Sequence, residues 1–365
     1  MVARIGLIGA GTFGEMHLQA YSQMGRREDV ELAGVADVDA ALLDKRQQEY
    51  GIATYLDYRQ MLKEQELDAV AVATPDHLHA EISIDCLKAG KHVFVEKPLD
   101  TDVGGCQKMI EMAEANNCLL QVDFHKRFDP SYLELRSLIR QGHLGDFEYG
   151  YAHIENRLEV PLNWLGSWVE QTSPNWFLGV HMYDLVRFVT GDKVSGVAAT
   201  GIKNKLASLG IDTFDSIQSK LILSGGGSFS VDTSWILPDG HEAIVNQGFR
   251  LVGSEGMMEL DSQYRGVRGC LKKPTDSRTS EKSAMQTWNL EFFRERQDAK
   301  GQSVYGGYGI ESIQDFVSNV NELLEGVPLT DLKGQYADGY DGLEATKIAA
   351  AVEASVQSKG QLVRL

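Results

Sequence analysis

The stretch GLIGAGTFG, residues 6–14, carries Gly9, Gly11 and Gly14 in G-x-G-x-x-G spacing, directly after the apolar run RIGLIG and at the start of a segment with helical period. Glycines there allow a tight turn, a close backbone approach to a pyrophosphate and close helix–strand packing, with the anion on the positive helix N-terminus. The next strand pattern, ELAGVADVD, ends in Asp37, at about the spacing of a carboxylate that holds a ribose 2′-OH. Together these predict a dinucleotide site, with Thr12 and Phe13 inside the loop as further cofactor contacts. Asp37 repels a 2′-phosphate and no arginine follows at once, so NAD is preferred to NADP, although Lys45 and Arg46 stand on the next helix.

Outward from that loop, the runs RIGLIG, ELAGVAD, DAVAVAT, HVFVEK and LLQVDF alternate with helix-period segments long enough for crossovers. The pattern predicts an α/β fold whose N-terminal Rossmann domain, residues 1–124, is a doubly wound parallel sheet. After HKRFDP the texture changes, and residues 125–365 are expected to form a second α/β domain with a large open, mainly antiparallel sheet for substrate binding and oligomerisation. In GSFSVDTSW, Phe229, Val231, Thr233 and Trp235 share one face, and QSKLILSGGGSFSVDTSW reads as a hairpin turning at Gly225–Gly227. The polar segment 272–287 reads as a surface loop, and residues 310–326 and 341–360 as helices, the last one able to pack back on the first domain.

At 365 residues and 43% hydrophobic side chains the chain can bury a sizeable core. Its net charge of −17, with no basic block, argues against nucleic acid and anionic lipid as partners. Cys86, Cys106, Cys118 and Cys270 show neither Cys-x-x-Cys nor zinc spacing, so reduced core thiols and no metal site are expected. MVARIGLIGAG enters a strand pattern at once, and no long apolar run follows; a cytoplasmic protein without a leader or membrane span is the expectation.

Two further strand ends face the same carboxyl edge, where ligands lie in an open α/β sheet. The first, ATPDHLHAE, offers Thr74 and Pro75 as cofactor walls and His77 or His79 as approaching groups, against a capping Asp76 and a surface histidine. The second, VFVEKPLD, places Glu96 and Lys97 where a buried strand stops, as further cofactor contacts. Pro98 limits Lys97 to extended geometry, in a bond that is cis or trans. A partly desolvated lysine there acts as an acid–base group or binds a hydroxyl; the bland alternative is a solvated strand-end lysine.

The order of GLIGAGTFG, VADVD, ATPDHLHAE, GKHVFVEKPL, HKRFDP and GVHMYDLVRFVTG resembles the glucose-fructose oxidoreductase, inositol dehydrogenase and MocA family over essentially the full length. The resemblance implies hydride transfer between a nicotinamide and a sugar or polyol carbon, a catalytic Lys97, and a cis bond before Pro98. It also implies an Asp-x-x-x-His pair on a helix of the second domain. Here His181 matches the histidine, but Phe177 stands where the acid would be. On a helix, Phe177, His181, Asp184 and Phe188 fall on one face, so His181 is either a second catalytic and substrate-binding group or a core histidine held by Asp184. Arg127 matches a position where the family often carries arginine and is, with Asp184, a candidate substrate-binding residue; its rival role is a structural pair with Asp129. Trp164, Trp168 and Trp176 offer faces for a sugar ring or fill the core.

These residues point to an NAD-dependent dehydrogenase oxidising a secondary alcohol of a carbohydrate-like small molecule, assembled as a homodimer or homotetramer. Two rivals share the motifs: a non-catalytic NAD-binding sugar sensor, and an NAD-dependent glycoside hydrolase that recycles its cofactor.

Overall fold

The computed structural model describes residues 2–261, 267–270, 285–288 and 291–365. The chain forms two compact units, Met1–His125 with Phe293–Thr346, and Lys126–Phe292 with Lys347–Leu365. A single cut at 124/125 therefore does not describe the packing, because residues 293–346 group with the first unit.

In that unit the strands β1 (Ala3–Ile8), β2 (Val30–Ala36), β3 (Thr54–Tyr55), β4 (Ala69–Val72), β5 (His92–Glu96) and β6 (Leu120–Asp123) form one sheet in the order β3-β2-β1-β4-β5-β6. Every pairing in it is parallel. The intervening helices are α1 (Thr12–Gly25), α2 (Ala40–Tyr50), α3 (Tyr58–Glu64), α4 (His79–Lys88) and α5 (Val103–Ala115). All five strands read from sequence are present; β3 and α3 are too short to give a periodic signal. Strand order reverses between β1 and β4, so the loops after these two strands diverge and leave a crevice at the carboxyl edge.

Alternation along β5 sends Val93 and Val95 into the core beneath α4 and α5, with Ile82, Cys86, Leu87 and Met109. Phe94 points to the other face, among Leu18, Tyr21, Ile313 and Phe316. Phe94 stacks on Phe316 at 4.9 Å. Such a ring contributes about 1.5–3 kcal/mol by leaving water, which is the physical reason the later stretch joins this unit. It comprises the hairpin β15 (Arg294–Gln297) and β16 (Ser303–Gly306) and the helix α9 (Tyr308–Leu324), whose apolar side carries Ile313, Phe316 and Val317.

The second unit holds α6 (Pro130–Arg140), β7 (Phe147–Arg157), α7 (Val180–Thr190), β8 (Val194–Ile202), α8 (Lys205–Ser208), β9 (Ser216–Leu223), β10 (Ser228–Leu237), β11 (Val245–Gly253), β12 (Met257–Asp261) and, as a separate pair, β13 (Val267–Cys270) with β14 (Met285–Trp288). With the terminal β17 (Val363–Arg364), a sheet of order β12-β11-β7-β10-β9-β8-β17 forms. Only β7 and β10 pair in parallel within it; the other neighbours are antiparallel. The mainly antiparallel open sheet expected from sequence is present. Phe229, Val231, Thr233 and Trp235 are all buried on one face, and Tyr132 of α6 meets Phe249 edge-on at 5.4 Å. Gly226 and Gly227 make the β9–β10 turn with φ of +105° and +74°.

Of the expected surface loop at 272–287, residues 272–284 lie outside the described residues, and 285–287 belong to β14. The helix expected at 341–360 appears as α10 (Gly339–Gln357). No helix among the described residues is long and apolar enough to cross a membrane.

Candidate active site

The three glycines of the first loop do three different things. Gly9 has φ of +96°, and a Cβ there would strike the carbonyl of Ala73 on the neighbouring strand end. A Cβ at Gly14 would strike the carbonyl of Gly9, so this glycine lets α1 close onto β1. At Gly11 a Cβ would meet no protein atom within 4 Å, and Gly11 caps α1 without any side-chain hydrogen bond. The fold thus explains the first and third glycines, whereas the space over Gly11 and the first amides of α1 suits a ligand phosphate.

Asp37 sits just past β2, where its two carboxylate oxygens accept from the amides of Ala10, at 2.7 Å, and Asp39, at 2.9 Å. The carboxylate is thereby pinned beside the glycine loop and stays half-buried. Of the two cations considered for a 2′-phosphate, Arg46 is buried and committed: it donates to the Ala10 carbonyl and pairs with Glu15 and Glu49. Lys45 is exposed, 3.7 Å from Glu49.

After β4, Thr74 and Pro75 are half-buried and His77 is exposed. The Thr74 hydroxyl has no hydrogen-bond partner among the described residues, a buried polar atom at the crevice that a cofactor amide or hydroxyl would satisfy. His79 departs from the expectation that it approaches the cofactor. It is 0% exposed, and its ring bridges the carbonyls of Pro98, at 2.7 Å, and Thr74, at 2.9 Å, tying two loops of the edge together.

Lys97 follows β5 in a cis Lys97–Pro98 bond, as the resemblance implied. It is only 4% exposed, with its ammonium 5.6 Å from the centre of the Phe13 ring. Burial drives its proton affinity below that of an ordinary lysine, while Asp76, Glu96 and Asp123 pull it back up. This is not a solvated strand-end lysine. Glu96, expected among the cofactor contacts, turns inward instead: its carboxylate lies 3.3 Å from His17 Nε2 on α1. Asp123, its register partner on β6, accepts from Ser312 of α9 and from His125. Sequence reading missed His17, Asp123, His125 and Ser312. His17 gives one usable signal, being a lone histidine on the sheet-facing side of α1.

In the second unit, His181 on α7 is buried. Asp184, one turn on, receives both prongs of Arg127, at 2.9 Å and 2.5 Å, and the Arg127 guanidinium lies 5.0 Å from the Phe188 ring centre. Arg127 thus pairs with Asp184, while Asp129 caps α6 through the Ser131 amide. Two expected substrate residues thereby hold each other in a fixed fork. Phe177 precedes the regular part of α7, in a wide turn at Asn175–Gly179. Its ring packs at 6.3 Å from Trp168 and 6.0 Å, edge-on, from Trp235. Trp176 is buried, and its indole hydrogen-bonds Glu353 of α10, which gives it a structural anchor. Trp164 and Trp168 remain half-buried.

A parallel sheet with its order reversal beside a glycine loop, a ribose-spaced aspartate and a buried lysine at the same edge defines an NAD-binding Rossmann oxidoreductase. Residues 3–124 match the oxidoreductase family with NAD-binding Rossmann fold, and residues 132–259 match the GFO/IDH/MocA C-terminal domain. The chain belongs to the GFO/IDH/MocA oxidoreductase family, whose members act on CH-OH groups. It is 25% identical over 362 residues to a myo-inositol 2-dehydrogenase of Thermotoga maritima, covering 98% of this chain and 97% of that one. Two solved structures share the fold. GenD2 from gentamicin A biosynthesis, in complex with NAD, superposes with a TM-score of 0.82 at 19% identity, covering 100% of this chain and 96% of that one. Scyllo-inositol dehydrogenase from Lactobacillus casei, with bound NAD(H) and scyllo-inositol, gives 0.76 at 18% identity, covering 100% and 99%.

Proposed function

We propose that this protein is an NAD-dependent dehydrogenase that oxidises a secondary alcohol of an inositol, a sugar or a sugar derivative. The observation that supports it most is Lys97: a lysine held out of water at the cofactor edge, with its proton affinity lowered by burial, is suited to take a hydroxyl proton more readily than an ordinary lysine. NAD, when bound, supplies the nicotinamide carbon that accepts hydride. Gly11 and the start of α1 would hold its phosphates and Asp37 its ribose hydroxyls, while Phe13, Thr74 and Pro75 would wall the site against water. Lys97 orients the substrate hydroxyl and removes its proton, and His181 serves as the second substrate-binding group. The Arg127–Asp184 fork steadies the helix that carries His181. Relatives named as inositol 2-dehydrogenases make inositols the first substrates to try.

Absorbance of NADH, followed while the protein is incubated with NAD and a panel of inositols, sugars and sugar acids, tests the reading. NADH accumulation with at least one polyol, lost in Lys97→Ala by roughly 10²-fold or more with NAD affinity retained, is the expected result. Glycoside cleavage without net NADH marks the hydrolase, and NAD binding with no turnover across the panel marks the sensor.

A further inference from the structure

The glycines on either side of Ala10 let the loop between β1 and α1 approach a ligand closely, and they also leave its backbone loose. Gly9 and Gly11 lack the Cβ that narrows the choice of backbone conformation. A ligand binds more tightly when that choice is made before it arrives. In the first unit the choice is made from outside the loop. The Gly9 amide donates to the Ala36 carbonyl at the end of β2, at 2.8 Å, and the Ala10 amide to the Asp37 carboxylate, at 2.7 Å. The Ala10 carbonyl receives two donors from one side chain, Arg46 Nε at 3.3 Å and Nη2 at 3.1 Å.

Arg46 belongs to α2 and is 5% exposed, and burying a guanidinium is costly unless its charge is answered. Its remaining nitrogen, Nη1, pairs with Glu15 of α1 and, at 2.9 Å, with Glu49 on its own helix. Glu15 is held in turn by the Tyr50 hydroxyl at 2.6 Å, and its amide closes the first turn of α1 on the Gly11 carbonyl at 2.9 Å. A staple between α1 and α2 needs only the carboxylate contacts. Here two of the three guanidinium nitrogens go to a loop carbonyl instead. In a trans peptide the carbonyl of one residue and the amide of the next point opposite ways. Drawing the Ala10 carbonyl toward α2 therefore turns the Gly11 amide the other way, and above Gly11 a Cβ meets no protein atom within 4 Å.

We propose that Arg46 is a positioning residue for the cofactor: by holding the Ala10 carbonyl it sets the direction of the Gly11 amide and presets the glycine loop for the pyrophosphate of NAD. Asp37 and Arg46 then clamp the two backbone groups of one residue from opposite sides, β2 on the amide and α2 on the carbonyl. The inference rests on the reading of Gly11 and the start of α1 as the phosphate site and is independent of which alcohol is oxidised.

The experiment compares the full chain with Arg46→Met, and with Lys45→Met as the control that removes the same charge from an exposed position of the same helix. Hydrogen exchange of the cofactor-free protein, read by mass spectrometry on peptides covering residues 9–14, reports the clamp. Isothermal titration with NAD reports what the clamp serves. In Arg46→Met the loop should exchange roughly tenfold faster while β4 keeps its protection, and NAD should bind roughly tenfold more weakly, the scale of a lost charge-assisted hydrogen bond. Lys45→Met should stay within about twofold of wild type in both, as an exposed charge does. A lower melting temperature with unchanged NAD affinity assigns Arg46 to stability alone and overturns the proposal. So does weaker NAD binding with unaltered loop exchange, or an equal loss in Lys45→Met, since either makes the effect one of charge. If Arg46→Met does not fold by circular dichroism, Arg46→Lys, which keeps the charge without the two-pronged donor, decides by the same two measurements. Wild-type protein that fails to bind NAD refutes the phosphate-site reading itself, a result distinct from a loss confined to the Arg46 variants.

Discussion

Asp37→Ala should make the protein nearly indifferent to the 2′-phosphate without converting it to an NADP enzyme. In the native protein the Asp37 carboxylate is held by the amides of Ala10 and Asp39 at the glycine loop. Hydrogen bonds from ribose hydroxyls to such a charged acceptor contribute about 1.5–3 kcal/mol. A 2′-phosphate brought to about 4 Å of it meets a repulsion of about 1 kcal/mol with water-like screening and about 4 kcal/mol near a protein surface. Both terms vanish in the variant. NAD should therefore bind roughly tenfold to a hundredfold more weakly, NADP more tightly than before, and the two dissociation constants should come within about tenfold of each other.

Inversion needs a cation, and the structure does not leave Arg46 available: it already serves the Ala10 carbonyl, Glu15 and Glu49. Isothermal titration of wild type and variant with each cofactor measures the ratio directly. An unchanged preference would show that Asp37 does not hold the ribose. NADP binding far more tightly than NAD in the variant would show that Arg46 or Lys45 is recruited, against the buried ion-pair geometry.

Gly11→Ala should leave the melting temperature unchanged while weakening NAD roughly tenfold or more, because its Cβ meets no protein atom, whereas Gly14→Ala should cost about 1–3 kcal/mol of stability through its clash with the Gly9 carbonyl. His92 accepts from the Leu119 amide and burial lowers its proton affinity, so its contribution to stability is complete above pH 6.5 and is lost as the pH falls from there through its depressed folded value; His92→Asn should flatten the denaturation midpoint across that window. The outer sheet face carrying exposed Tyr149, Tyr151 and Met257 is expected to be covered by a second copy of the chain; light scattering at micromolar concentration should give a dimer or tetramer, and a monomer would refute it. His181→Ala should lower kcat/KM less than Lys97→Ala, since Asp184 is engaged by Arg127 and no acid stands at Phe177 to raise the histidine's basicity; a larger loss at His181 would reverse the assignment.

The parts of the fold legible in the sequence are those whose signal is local. Val93, Phe94 and Val95 announce a strand buried on both faces because each face must be apolar, and Gly9, Gly11 and Gly14 announce a phosphate turn because a side chain at Gly9 or Gly14 strikes the backbone and one at Gly11 fills the space left for a ligand. The membership of residues 293–346 was not legible in this way. The apolar stripe of α9 states that the helix is buried, but not which sheet buries it, and that choice is made by Phe316 finding Phe94 more than two hundred positions away. The helix that carries His181 begins where its pattern begins, but its first turn, Asn175–Gly179, is wound wider than periodicity shows. Asn175 gives its amide to the Ala349 carbonyl and receives the Tyr183 hydroxyl, so the chain is held in a wide turn that helical periodicity cannot register.

The same division explains the candidate site. Lys97 and Asp37 could be found because position along a strand fixes the edge they reach. His79, Glu96 and Arg127 were also found, but with the wrong partners: each is a polar residue near that edge, and sequence alone cannot tell a group that faces a ligand from one that faces another loop, helix or carboxylate. Burial decides between these, and burial is a property of the assembled unit. His79 and Glu96 are consumed in building the edge: His79 joins the Pro98 and Thr74 carbonyls, and Glu96 meets His17 of α1. A lysine in the middle of an apolar sheet edge would be expelled to solvent unless something held its charge there. The side chains that sequence reading passed over, His17, Asp123, His125 and Ser312, are buried around the ends of β5 and β6, and their signal is their tertiary partners, which no local pattern records.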